Sequence, residues 1–194
     1  MANRSVFQAA YAEVHRPFLF IVLLLAGFIL SAAYPSDLKS YPVLPSDAKM
    51  PAEVTLTENY VRFVPTVLQI ALPVMLGDKI GLVQLLYVAV STTIATHSLK
   101  RLLDDVWVGE TRLGQRPHGG ALNMPSGHSS MASCAVYFIG RRYSVRLGVF
   151  LLIILGLTMY ARVALNAHTV SAVIAGALLG CLTAAWFTSP RIER

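Results

Sequence analysis

Two short motifs set histidine beside basic and small residues: Pro125-Ser126-Gly127-His128 and Arg162-x5-His168, with Lys100 and Arg116-Pro117 upstream. Arg162, His128 and His168 adjoin strongly apolar segments, where an ionisable side chain is costly to keep and defaults to a function. Phosphoryl transfer places charge on the equatorial oxygens while a nucleophile and a leaving oxygen line up. Lys100, Arg116 and Arg162 supply three positive charges, and the arginine fork matches phosphate oxygens. Ser126 is a favourable N-cap, and exposed N–H groups at a helix start attract anions. Gly127 lets the backbone come close to the anion. His128 and His168 can divide the remaining work, nucleophile and general acid. Taken alone, a span-end arginine snorkels and the PSGH run is a helix cap. Together they predict phosphate chemistry that needs neither metal nor cofactor.

Such a site must be held by membrane helices. The chain has 194 residues, 55% hydrophobic, and only 13% charged, with a mean hydropathy of +0.59. Soluble domains carry about twice that charged fraction. The composition predicts an all-α, polytopic membrane protein, a six-transmembrane-helix bundle forming a single domain over residues 1–194. The net charge of +6 comes without a basic cluster or aromatic-interleaved patch, so no nucleic-acid partner is expected. The expected partners are membrane lipids and a phosphorylated lipid substrate.

Six apolar segments can be drawn: Pro17–Ala33, Val61–Leu76, Ile80–Leu99, Gly127–Gly140, Leu147–Leu165 and Thr169–Thr188. A bilayer core of about 30 Å needs about 20 helical residues, which the third, fifth and sixth segments meet. The second is short and contains Pro65 and Pro73, tolerable where other groups take up the freed carbonyls. The fourth is short because its N-terminus, at Ser126-Gly127, is expected to stop below the membrane surface in a protein-lined cavity. The first segment, after Arg16 and ending Ser31-Ala32-Ala33, also resembles a signal peptide, but its apolar core is long for one.

With the N-terminus inside, the inner segments hold Arg4, Arg16, Lys79, Arg141, Arg142, Arg146, Arg191 and Arg194. The outer segments are much longer for the same number of cations, so basic density is higher inside. Two spans separate the Lys100–His128 region from Arg162–His168, which brings both motifs to one face, the outer one. Outer residues 34–60, with Pro35, Pro42, Pro45 and Pro51 and the acidic Asp37, Asp47, Glu53 and Glu58, read as an extended connection or an interfacial segment that shapes lipid access. Residues 101–126 form a second outer loop broken by Gly109, Gly114, Gly119 and Gly120.

Asp104 and Asp105 read as solvated charges or partners of Lys100 and Arg101. His97, one turn before Lys100, is either a hydrogen-bonding partner or an interface residue, and His118 is a loop residue. Cys134 and Cys181, both inside apolar spans, read as small packing residues. Gly176 and Gly180, spaced GxxxG, allow close helix approach.

In this order, Lys100, Arg116-Pro117, Pro125-Ser126-Gly127-His128 and Arg162-x5-His168 resemble the phosphatidic-acid-phosphatase type 2 superfamily. Its pattern is a lysine before Arg-Pro, then PSGH, then Arg-x5-His-x3-Asp, and its membrane members have six spans. The resemblance implies that His168 attacks phosphorus to give a phosphohistidine. It implies that His128 protonates the leaving oxygen and later activates water, while Lys100, Arg116, Ser126, Gly127 and Arg162 hold the phosphate. Two departures stand out. Fifteen residues separate Lys100 from Arg116, where the commonest family pattern has six. The aspartate that orients the nucleophilic imidazole is Ala172 here, leaving Ser171, Thr169 or a backbone carbonyl to serve.

More narrowly, residues 96–101, 112–117, 123–131 and 165–169 resemble the short lipid A 1-phosphatases of epsilon-type Gram-negative bacteria. That branch removes the 1-phosphate of lipid A at the periplasmic face of the inner membrane. Within the same chemistry, undecaprenyl diphosphate, phosphatidylglycerol phosphate and transfer to a second lipid are the alternatives. From another class, a lipid-phosphate binder or transporter would favour repeats and broken helices. No repeat is visible.

Overall fold

The computed structural model describes residues 5–45 and 49–191; Arg4, Arg194 and Asp47, used in the charge argument above, lie outside them. Among the described residues eight α-helices follow in order: α1 (Val6–Ala12), α2 (Phe18–Ala33), α3 (Ala52–Asn59), α4 (Val64–Met75), α5 (Lys79–Leu102), α6 (Gly127–Arg142), α7 (Val145–Ala164) and α8 (Val170–Phe187). Three of them, α5, α7 and α8, are long and apolar enough to cross a membrane. Helix α2 is apolar but has 16 residues, and α6 and α4 have 16 and 12. By length alone three spans are shown where six are expected.

Several expected boundaries move. Residues 61–63 form a 3-10 turn, so the second apolar segment becomes helical only at Val64, and Pro65 sits in its first turn, where a missing N–H costs little. Two helices arise where none is expected. Helix α1 is started by a capping box between Ser5 and Gln8, and α3 lies within the outer connection. A two-stranded ribbon, β1 (Trp107–Val108) and β2 (Thr111–Arg112), turns at Gly109 with φ +58° in the second outer loop.

Helix α6 is the centre of the bundle, packed between α7 and α8, with α4 and α5 along its other sides. A Cβ on Gly176 would overlap the Ser126 carbonyl, and one on Gly180 the Ser130 carbonyl and Ser133 hydroxyl. The two glycines therefore set α8 directly against the start of α6. Cys134 and Cys181 are free thiols in this packing.

At the end of the bundle where α5 begins and α6 ends, Arg142 turns inward instead of facing outward with Arg141. Its Nε and Nη2 donate to the two Asp78 oxygens at 2.6 and 2.7 Å, and Nη1 donates to Gln84 and to the Ser189 carbonyl, each at 3.1 Å. Asp78 also accepts from the Gly81 N–H, which caps α5, and from the Tyr143 hydroxyl. Burial alone would raise the Asp78 carboxyl; the Arg142, Gly81 and Tyr143 bonds outweigh it and hold the group below the ordinary carboxylate range. Asp78→Ala should strand a buried guanidinium at a cost of about 3–5 kcal/mol. The melting temperature in detergent should then fall by roughly 10 °C; an unchanged transition would show that the pair is not holding this end together.

Candidate active site

Each functional side chain sits at a helix end, and the local sequence explains each end. Helix α7 stops at Ala164 because Asn166 takes the left-handed conformation, φ +51°. The Ala167 N–H then returns to the Arg162 carbonyl at 3.0 Å and the Asn166 N–H to Val163 at 2.9 Å, a Schellman closure with asparagine in the place usually taken by glycine. The His168 N–H reaches the same Arg162 carbonyl at 3.2 Å. The five-residue spacing of Arg162-x5-His168 is thus the length of one helix stop. Helix α8 restarts two residues later, capped by the Thr169 hydroxyl.

His168 is 2% exposed, and its Nδ1 lies 2.8 Å from the backbone carbonyl of Asn123. A carbonyl only accepts, so Nδ1 carries the hydrogen and Nε2 keeps its lone pair. Burial, then the charges of Lys100, Arg116 and Arg162, push the imidazole far below the ordinary histidine range despite the Asn123 bond. It is neutral at pH 7. Among the three candidates for the missing aspartate, the backbone carbonyl is the one in contact. Asn123 is itself locked in place: its Oδ1 accepts from the Thr169 N–H and its Nδ2 donates to the Thr169 hydroxyl, both at 3.0 Å. Ser171 is engaged elsewhere, with the backbone and hydroxyl of Ser36 exchanging hydrogen bonds with it.

A cavity of about 360 Å³ gathers Lys100, Arg116, Gly127, His128, Arg162 and His168, with Thr92, Thr93, Thr96, His97 and Met131 completing the wall. Six of the seven site residues expected from sequence therefore share one space. The seventh, Ser126, lies behind Gly127 and is fully buried. It occupies the N-cap position of α6, but the expected side-chain cap is not made, because its Oγ accepts from the Ser129 hydroxyl at 3.2 Å instead. The Ser126 N–H donates to the Ala172 carbonyl at 2.9 Å, so the residue replacing the family aspartate holds the PSGH turn by its backbone.

The Lys100–Arg116 spacing finds its explanation in the ribbon. Strands β1 and β2 loop out the extra residues, and the chain returns so that Lys100 Nζ (2.6 Å) and Arg116 Nη2 (3.4 Å) both donate to the Leu122 carbonyl. Leu122 has φ +60°, a conformation costly for a bulky side chain and typical of functional sites. Its N–H is fixed by Asp104 at 2.8 Å. Asp104 and Asp105 pair with Arg112 at 3.1 and 2.7 Å; of the two readings, Asp105 is a solvated charge, and the ion-pair partner is Arg112 in place of Lys100 or Arg101. Burial and the nearby Arg162 charge push Arg116 below its ordinary range. His118 is a loop residue, accepting from the Gly120 N–H, and His97 stands exposed at the cavity wall.

The end of the outer connection and the start of the second apolar segment contribute two residues that the motifs do not contain. Glu58, at the end of α3, places Oε1 2.7 Å from Arg162 Nη1 and 2.8 Å from Arg62 Nη1. Arg62 Nη1 in turn lies 2.6 Å from His128 Nε2. A guanidinium only donates, so Nε2 is the acceptor here. The available signal was the i,i+4 spacing of Glu58 and Arg62, split between a segment read as loop and the start of an apolar segment. Thr96 Oγ1, Arg116 Nε and Arg162 Nε are buried without a hydrogen-bond partner among the described residues. Three unsatisfied donors around one basic cavity suit an anion with several oxygens. Among the described residues no three His, Cys, Asp or Glu side chains converge to hold a metal ion.

Residues 81–191 match the PAP2 superfamily. Two curated relatives, the lipid A 1-phosphatases of Helicobacter pylori strains J99 and 26695, are 46% and 44% identical over 151 residues. The matches cover 78% of this chain and 79% and 80% of theirs. A transmembrane PAP2 type phosphatidylglycerolphosphate phosphatase from Bacillus subtilis is a similar solved structure, with 19% identity and a TM-score of 0.42 over 92% of this chain and 78% of that one.

Proposed function

The chain belongs to the PAP2 superfamily and is a membrane lipid phosphatase, and we propose that it removes the 1-phosphate of lipid A through a phosphohistidine on His168. The observation that carries the mechanism is the Nδ1 bond to the Asn123 carbonyl. It leaves an unprotonated Nε2 at a cavity ringed by Lys100, Arg116 and Arg162. A passive anion site has no use for a neutral imidazole with a fixed tautomer.

The substrate phosphate binds between those three cations and the first N–H groups of α6, beside Gly127. His168 Nε2 forms a bond to phosphorus as the bond from phosphorus to the glycosidic oxygen breaks, and His128, released by Arg62 and protonated from solvent beforehand, delivers that proton to the oxygen. His128 then takes a proton from water, which attacks phosphorus. The N–P bond breaks, inorganic phosphate leaves, and His168 is neutral again. Charge is neutralised by side chains throughout, so no metal is required. Ser126 acts from behind by fixing Gly127.

We assign six spans, adding α2, α4 and α6 to the three long helices. Helix α6 needs less length because it starts inside the protein at the cavity floor, where backbone ends are satisfied by protein or ligand. The basic turns lie on the opposite side, which orients the cavity to the periplasm of the bacterial inner membrane. A cell lacking this protein should retain lipid A with its 1-phosphate, visible by mass spectrometry as one additional phosphate. The purified protein should release phosphate from lipid A in chelator. Unchanged lipid A together with accumulated undecaprenyl diphosphate would move the substrate and leave the chemistry.

A further inference from the structure

We propose that Glu58 is an internal competitor for the phosphate site, a carboxylate that holds Arg162 and, through Arg62, His128 until a phosphate replaces it. The inference rests on the phosphatase reading above and adds a residue to that site. Glu58 Oε1 is shared between Arg162 Nη1 at 2.7 Å and Arg62 Nη1 at 2.8 Å. Its other oxygen, Oε2, is buried with no hydrogen-bond partner among the described residues, as are Arg62 Nε and Arg162 Nε. One oxygen therefore serves two guanidiniums while three polar atoms go unsatisfied. Such a partly buried group, with its second oxygen buried and unpaired, is poorly stabilised. A phosphate dianion brings more oxygens and more charge to the same fork, and the exchange favours it.

The contact reaches the acid as well. Arg62 donates to His128 Nε2 at 2.6 Å, so this nitrogen cannot offer a proton to a leaving oxygen while Arg62 holds it. Arg62, Phe63, Thr66, His128 and Met131 line a second space of about 230 Å³ that shares His128 and Met131 with the main cavity. Arg62 has room beside the site on the leaving-group side. Freed from Glu58 it remains as a fourth cation there.

The exchange needs no movement of α3. Val54 is 0% and Thr57 3% exposed, which anchors the helix, and Glu58 occupies its last turn. Rotation of one side chain is enough. The device has a use in turnover: a site with four cations would retain inorganic phosphate, and the returning carboxylate helps expel it.

The test is titration calorimetry of the purified full chain in detergent with inorganic phosphate, and separately with orthovanadate. Glu58→Gln should bind both about tenfold more tightly than the wild type. With lipid substrate it should lower KM and kcat together, because the substrate meets no competitor and the product leaves slowly. Glu58→Asp, one methylene short of the shared reach, should lie between the two and serves if Glu58→Gln does not fold. If the folded variants bind phosphate equally or more weakly, or if KM rises, Glu58 positions Arg162 and the competitor proposal is wrong. If neither the wild type nor the folded Glu58→Gln variant binds either anion, the cavity is not the phosphate site and this inference fails with that reading.

Discussion

Replacing His168 with alanine should abolish turnover, by a factor on the order of 10⁶, as when a covalent nucleophile is removed from a unit that acts together. The loss should fall on kcat. Lys100, Arg116 and Arg162 still surround the cavity, so orthovanadate and inorganic phosphate should still bind. The neutral, Nδ1-protonated imidazole is a product of burial and of one backbone bond, so no other side chain can take its place. His168→Gln, close in length but without a ring nitrogen, should be equally inactive. A His168→Ala variant within tenfold of the wild type on lipid A would remove the covalent route.

Loss of His128 should cost less, on the order of 10²–10⁴-fold, because a general acid lowers the barrier without forming the bond. The size of the effect should depend on the leaving group. With an aryl phosphate, whose oxygen departs without a proton, His128→Ala should recover much of its phosphoryl-transfer rate, read as a burst of released aryl alcohol, and His168→Ala none. Equal recovery in both, or in neither, would contradict the division of labour. The His128→Ala variant should also hydrolyse the phosphoenzyme slowly, since the same imidazole activates water.

The sequence carried the site further than it carried the fold. The four motifs share one cavity because two helices, α6 and α7, lie between them, and the parity of the chain alone brings them to one end. The helix stop at Asn166 was readable as a fixed distance from Arg162 to His168, although not as a Schellman turn. The orientation of His168 was not readable. It is set by the carbonyl of Asn123, and a backbone atom leaves no residue type in the sequence to recognise. The Lys100–Arg116 gap looked like a departure because the ribbon that absorbs it spans only residues 107–112, too short for a periodic pattern. Ser126 was assigned by its type, and the hydroxyl of Ser129 redirected it. Glu58 escaped because α3 has eight residues and weak amphipathic character, so its inward face shows only once α7 packs beside it, and Arg62, in the 3-10 turn that follows, was read as the edge of an apolar segment.

A covalent bond between phosphorus and His168 Nε2 can be caught by rapid quenching. The His128→Ala protein should be mixed with lipid A labelled at its 1-phosphate, stopped in base, digested and read by mass spectrometry. One phosphoryl group is expected on His168, stable in base, lost in acid, and absent from the His128→Ala/His168→Ala double variant. Label on any other residue, or active protein that turns over lipid A and never carries label, would contradict it.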